Sequence, residues 1–199
     1  MRIRHHILRS LLLAAACAAA SGCAPLLVGG AVAGGALVAT DRRTSGMQLE
    51  DESIELRATS RLREALGERA HINVTSYNRL VLLTGEVANA QDKQTAEQVV
   101  SRVENVRSTA NELAVLGSSS LASRSSDTLI TGLVRASLVD AKDLSANAFK
   151  VVTERATVYL MGRVTQREAN RATDIARGTR GVEKVVRLME IVTEADLAK

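Results

Sequence analysis

The second half of this chain repeats the first. "INVTSYNRLVLLTGEV" (72–87) lines up with "FKVVTERATVYLMGRV" (149–164) at an offset of 77 residues. Val74, Val81, Leu83, Gly85 and Val87 then meet Val151, Val158, Leu160, Gly162 and Val164. Past a one-residue gap the offset is 76, and Ala96, Val99, Val106 and Val115 meet Ala172, Ile175, Val182 and Ile191. Upstream, Ile54, Ala58 and Leu62 meet Ile130, Val134 and Leu138. A repeat of this length is a whole structural unit, so the chain is read as two copies of one small fold.

Each copy has the same order of elements. Ile130, Leu133, Val134 and Leu138 recur at helical spacing and predict a first helix with those residues toward the core. Two apolar strands follow, joined by short turns at Asn78-Arg79 and Glu154-Arg155, which makes them antiparallel. Thr165 with Glu168 three residues on is a capping box and starts a second helix; Asn89 with Asp92 is its looser counterpart. That helix ends near Gly178 or Gly181. A last strand, in "STANELAVL" and "EKVVRLMEIV", closes each copy. The fold class is α+β: two tandem α-β-β-α-β domains, each a three-stranded mixed sheet covered by two helices. Only Phe149, Tyr77 and Tyr159 are aromatic, so the cores rest on Val, Leu, Ile and Ala.

The first 22 residues are read as processing rather than fold. Arg2, Arg4 and Arg9 precede a short apolar run, "LLLAAACAAA", and small residues lead to Cys23. This is the layout of a signal peptide. Its "ASGC" ending resembles the lipobox of bacterial lipoproteins, which implies that Cys23 is acylated and begins the mature chain. Ala24 after it resembles the outer-membrane sorting class. The domain plan is then a signal peptide over 1–22, a lipidated tether over 23–50, domain 1 over 51–116, a linker over 117–126, domain 2 over 127–192 and a tail over 193–199. The whole chain has 26 basic and 22 acidic residues. The signal peptide removes three arginines and no acid, leaving 23 against 22. A nucleic-acid partner loses its electrostatic basis.

Catalytic chemistry is sparse. His71 is the one histidine after the signal peptide, just before a strand, and is read as a surface or cap residue. No second His or Cys completes a zinc set, so no metal and no cofactor is expected. The serines of 117–126 lack a neighbouring base, and the carboxylates are read as scattered over exposed helix faces with no apolar pocket to raise a pKa. Arg163, Arg167 and Arg171 recur every four residues, but with Glu168 and Asp174 among them they read as a solvated face. The glycine of "VYLMGRV" once suggests a phosphate cradle. Its twin "VLLTGEV" exchanges Arg163 for Glu86, so Gly85 and Gly162 are read instead as strand positions where a side chain is unwelcome.

The repeated V-x-L-x-G-x-V strand, the capped helix after it and "GVEKVV" resemble the BON domain. Two such units behind a lipobox resemble the dual-BON outer-membrane lipoproteins of Gram-negative bacteria, across Cys23 to about Val192. That resemblance implies a non-enzymatic protein, lipid-anchored to the outer membrane and facing the periplasm. It further implies that the protein binds anionic phospholipid through the first helix of domain 2 and supports membrane integrity. The helix is about Asp127 to Asp140, with Leu129, Gly132, Leu133, Arg135 and Ala136 as the expected contact residues. Charge agrees in sign: residues 51–116 carry 8 basic and 10 acidic groups, residues 127–192 carry 11 and 8. The alternative is an adaptor that recruits an envelope or cell-wall remodelling partner through its exposed sheet edges.

Overall fold

The computed structural model describes residues 41–67, 70–117 and 119–197. Cys23, the signal segment and most of the tether lie outside these residues. Residues 41–199 form one compact unit.

In domain 1, α1 (Ser45–Leu66) leads into the hairpin β1 (His71–Tyr77) and β2 (Leu80–Val87), followed by α2 (Ala90–Ser101), β3 (Ser108–Asn111) and β4 (Ala114–Val115). Domain 2 repeats the plan with α3 (Leu121–Asp140), β5 (Phe149–Glu154), β6 (Thr157–Val164), α4 (Gln166–Gly178) and β7 (Lys184–Ile191). A short α5 (Glu194–Leu197) follows. The middle strand pairs antiparallel with its hairpin partner and parallel with the last strand in both domains. The sheets are therefore mixed, as the sequence predicts. The first helices begin earlier than read: α1 starts within the tether and α3 within the linker, where Thr44 and Ser120 cap the helices through their side chains. The last strand of domain 1 is broken at Glu112-Leu113, where Leu113 turns into the core.

The alternation of the middle strands sends side chains both ways. Val81, Leu83 and Val87 meet Ile54, Ala58, Leu62, Ala96 and Val100 of the helices. Val158, Leu160 and Val164 do the same with Ile130, Val134, Leu138 and Ala172. Leu82 and Tyr77 point the other way and pack against Tyr159 and Met161 of domain 2. The two sheets thus stack face to face through a third apolar core, with helices on both outer sides. Most interior positions of these strands are apolar because neither face of the middle strands meets water, with Thr84 and Glu86 of β2 the buried exceptions.

Polar groups ring this interface. Asn73 donates to Glu154 Oε2 at 3.0 Å, Asn78 to Glu190 Oε2 at 2.6 Å and Lys150 to Glu55 Oε1 at 2.8 Å. Glu86 is wholly buried, with His71 Nδ1 at 3.3 Å and Arg155 at 3.7 Å. Two expectations are corrected here. His71 is no surface cap, since it opens β1 against a buried carboxylate. Nor are the carboxylates all on exposed faces: burial, with the charges of Glu86 and Asp127, raises the Glu154 pKa against the hydrogen bond from Asn73.

A repeated aspartate holds each hairpin. Asp51 accepts from the Asn78 and Arg79 N–H groups, and Asp127 from those of Arg155 and Ala156. These four residues have positive φ, from 50° to 65°, the backbone of a type I′ turn made here without glycine. The glycines of the repeat serve close approach. A Cβ on Gly85 would stand 2.0 Å from the His71 carbonyl oxygen, and one on Gly162 2.5 Å from that of Ala148. Side chains are unwelcome there, as the sequence reading holds.

The segment before α1 binds both domains. Arg43 lies over the Tyr77 ring at 4.2 Å and donates to Asp51. Arg42 makes a two-pronged contact with Glu168 at 2.7 and 2.8 Å and donates to the Arg163 carbonyl. Glu168 also completes the capping box of α4 with Thr165. Those Arg42 bonds lead, against burial and helped by Thr165, in holding the Glu168 carboxyl down at about 2.

Candidate functional site

The expected contact helix presents two different flanks. Its buried stripe is Asp127, Ile130, Val134 and Leu138. Leu133, expected in that stripe as well as among the contact residues, falls outside it and is 48% exposed. Leu129, at i−4 from it, is 71% exposed. Gly132 and Ala136 are exposed beside them, and nothing lies within 4 Å of a Cβ placed on Gly132. Four of the five residues thus form one open, largely apolar strip along α3.

Arg135 does not join that strip. Its Nη2 donates to the Val151 carbonyl at 3.2 Å, so it lies on the β5 flank of the helix. The physical reason is helical phase: Arg135 sits one residue past the buried Val134, on the side that turns toward the sheet edge. The basic groups beside Leu133 come from elsewhere. A groove of about 560 Å³ runs between α3 and α4, lined by Leu133 and Ile175 and by the charges of Arg171, Arg180, Asp140 and Asp174. Arg171 is held at 3.2 Å from Asp143, both half exposed.

The sequence reading places Arg171 on a solvated face and does not bring it, or Arg180, to the contact helix. The available signal was the buried stripe Ala169, Ala172 and Ala176 of α4. Small residues there bring α4 close to α3, so charges flanking the stripe border the neighbouring helix. Arg163 and Arg167 take no part. Arg163 stands 3.7 Å from Glu190, and Arg167 donates to the Asp143 carbonyl.

An apolar strip beside two guanidinium groups suits an amphiphile with an anionic head. Leucines enter the apolar zone of an interface while guanidinium groups remain at headgroup depth. No described helix is long and apolar enough to cross a membrane. Among the described residues no group of three or more His, Cys, Asp or Glu could hold a metal ion. The inter-domain carboxylates face side chains of the opposite domain, an arrangement that ties the two sheets together.

The BON domain family matches residues 51–117 and 126–193. Among curated proteins, the chain is similar to the outer membrane lipoprotein DolP of Haemophilus influenzae. The two are 38% identical over 169 residues, covering 84% of this chain and 86% of the relative. It is also 32% identical to a 21 kDa hemolysin of Actinobacillus pleuropneumoniae, over 76% of this chain and 79% of the relative. Among solved structures, CdsD of the type III secretion system of Chlamydia trachomatis aligns with 70% of this chain and 95% of its own. Its TM-score of 0.30 and 12% identity carry no argument.

Proposed function

Because the chain belongs to the BON-domain family and carries two copies of the domain, we propose that it is a non-enzymatic outer-membrane lipoprotein. Acylated Cys23 anchors it, the folded part faces the periplasm, and domain 2 binds anionic phospholipid in support of membrane integrity. The similarity to a protein named an outer membrane lipoprotein supports the location. The observation that carries the lipid reading is the exposed strip of Leu129 and Leu133, whose Leu133 end shares a groove with Arg171 and Arg180.

The energetics favour two weak signals acting together. Burying an exposed leucine contributes about 1.5–3 kcal/mol. Each basic residue near an anionic surface adds about 1 kcal/mol, weakened by salt. Together these give reversible contact for a domain already held close by its acyl chains.

Vesicle sedimentation with residues 41–199, the compact unit, tests the reading without the anchor. Binding is expected to phosphatidylglycerol-containing vesicles and to fall with added salt. Leu129→Glu should weaken it about tenfold, the equivalent of roughly 1.4 kcal/mol. Equal binding to purely zwitterionic vesicles would remove the anionic part of the proposal.

A further inference from the structure

The two domains repeat a contact that only domain 2 completes. In a hairpin closed by a two-residue turn, alternate residues point their backbone groups away from the partner strand. Tyr77 pairs with Leu80 beside the turn, so Ser76 and Val74 face outward on the free edge of β1. Their twins Thr153 and Val151 face outward on β5.

Domain 2 holds the Thr153 side chain and seals the Val151 carbonyl from its first helix. Thr131 Oγ1 and Thr153 Oγ1 are hydrogen-bonded at 2.8 Å, and Arg135 donates to the Val151 carbonyl at 3.2 Å. In domain 1 the twin of Thr131 is Glu55, which accepts from the Ser76 N–H at 2.7 Å, while Lys150 donates to the Ser76 carbonyl at 3.2 Å. The twin of Arg135 is Thr59, whose short side chain cannot span the same gap. Among the described residues no side chain hydrogen-bonds to Val74.

An open groove of about 890 Å³ lies at this place, between α1 and β1. Val74 and Leu56 supply its apolar surface, and Leu56 is 73% exposed. Glu52 and Glu64 are exposed along it, with Arg63 the one basic lining residue. A strand edge left open at Val74, beside an apolar residue and a mainly acidic rim, is a template for strand addition.

We propose that the free edge of β1 in domain 1 docks an extended, basic segment of a partner protein. The segment's own N–H satisfies the Val74 carbonyl, as Arg135 satisfies that of Val151 in domain 2. Its apolar side chains on the helix side cover Leu56, and flanking Lys or Arg residues meet Glu52 and Glu64. The site is separate from the proposed lipid-facing strip on α3 and does not depend on it. The repeat has thus divided its labour at one position, because domain 2 closes its edge at Val151 and domain 1 leaves the matching Val74 open.

The test uses the full chain in zwitterionic detergent and a short labelled peptide alternating lysine with valine. A peptide alternating glutamate with valine is the control. Fluorescence anisotropy should show binding of the lysine peptide alone, weakened by salt. At saturation, hydrogen exchange at the Val74 amide should slow at least about tenfold. Thr59→Arg, which copies the seal of domain 2, should weaken binding at least about tenfold. Leu83 exchange at the centre of β2 reports whether that variant still folds. The paired exposed changes Glu52→Lys and Glu64→Lys should weaken binding by themselves. Absence of lysine-peptide binding would overturn the proposal. So would equal binding of the glutamate peptide, binding that leaves Val74 unprotected, or full binding by the paired variant or a folded Thr59→Arg.

Discussion

Arg42→Ala removes a side chain that precedes domain 1 in sequence but binds domain 2. Its partner Glu168 is almost wholly buried, and the pair meets through two bonds of 2.7 and 2.8 Å. The Glu168 pKa falls from 4.5 to about 2, with the Arg42 bonds the largest cause and burial opposing them. A carboxyl with a depressed folded pKa stabilises the fold above its unfolded pKa, and that contribution drains as pH falls toward the folded value. At about 1.4 kcal/mol per unit, the full contribution near neutral pH is about 3 kcal/mol. Thr165 still donates its N–H and hydroxyl to Glu168 in the variant, so the expected loss is about 2 kcal/mol near pH 7. Urea unfolding of residues 41–199 and the variant at about pH 7, 4.5 and 3 measures it. The difference should be largest at neutral pH and shrink between pH 4.5 and 2. Asp51, whose pKa is lowered, and Glu154, whose pKa is raised, affect both proteins alike and cancel in the difference. A constant difference across pH, or none at pH 7, would refute the reasoning.

Other perturbations follow from the same contacts. Gly85→Ala places a Cβ 2.0 Å from the His71 carbonyl at φ +112°. It should cost more than about 3 kcal/mol in urea unfolding, while a loss below 1 kcal/mol would contradict the close approach. Asp127→Ala strips two N–H groups of their acceptor in a turn with positive φ. A loss of about 2–3 kcal/mol is expected, with Arg155 and Ala156 amide exchange accelerated before that of the β6 core.

Much of the fold is legible because its signals are local. The capping residues Thr165 and Asn89, the Ile and Val stripes of the first helices and the repeated glycines each act within a few residues. Tandem copies then confirm one another. The third core is illegible for a different reason. Runs such as "VLL" and "VYLM" fit a strand with one buried face or two, and periodicity alone does not separate them. Arg42 with Glu168 joins residues 126 apart, and nothing near either of them announces the other. The sequence places the hairpin turns at Asn78-Arg79 and, one residue early, at Glu154-Arg155, but not their type, because the positive φ values fall on Arg79, Arg155 and Ala156 as well as on Asn78. Aspartates on the preceding helices hold them, a long-range compensation for unfavourable local residues.

The candidate site was legible in part. Leu129, Gly132, Leu133 and Ala136 share the exposed strip, whereas Arg135 belongs to the seal on β5. A single residue of helical phase separates those fates. Arg171 and Arg180 come beside Leu133 because the alanines of α4 let two helices approach.

The most direct test of the central claim is a titration of isotopically labelled residues 41–199 with phosphatidylglycerol micelles bearing a paramagnetic lipid, read amide by amide. Broadening centred on Leu129, Leu133 and Ala136 of α3, and extending to Arg180, is the predicted result. Broadening centred on α1 and β1 of domain 1, or spread evenly over both domains, would contradict it.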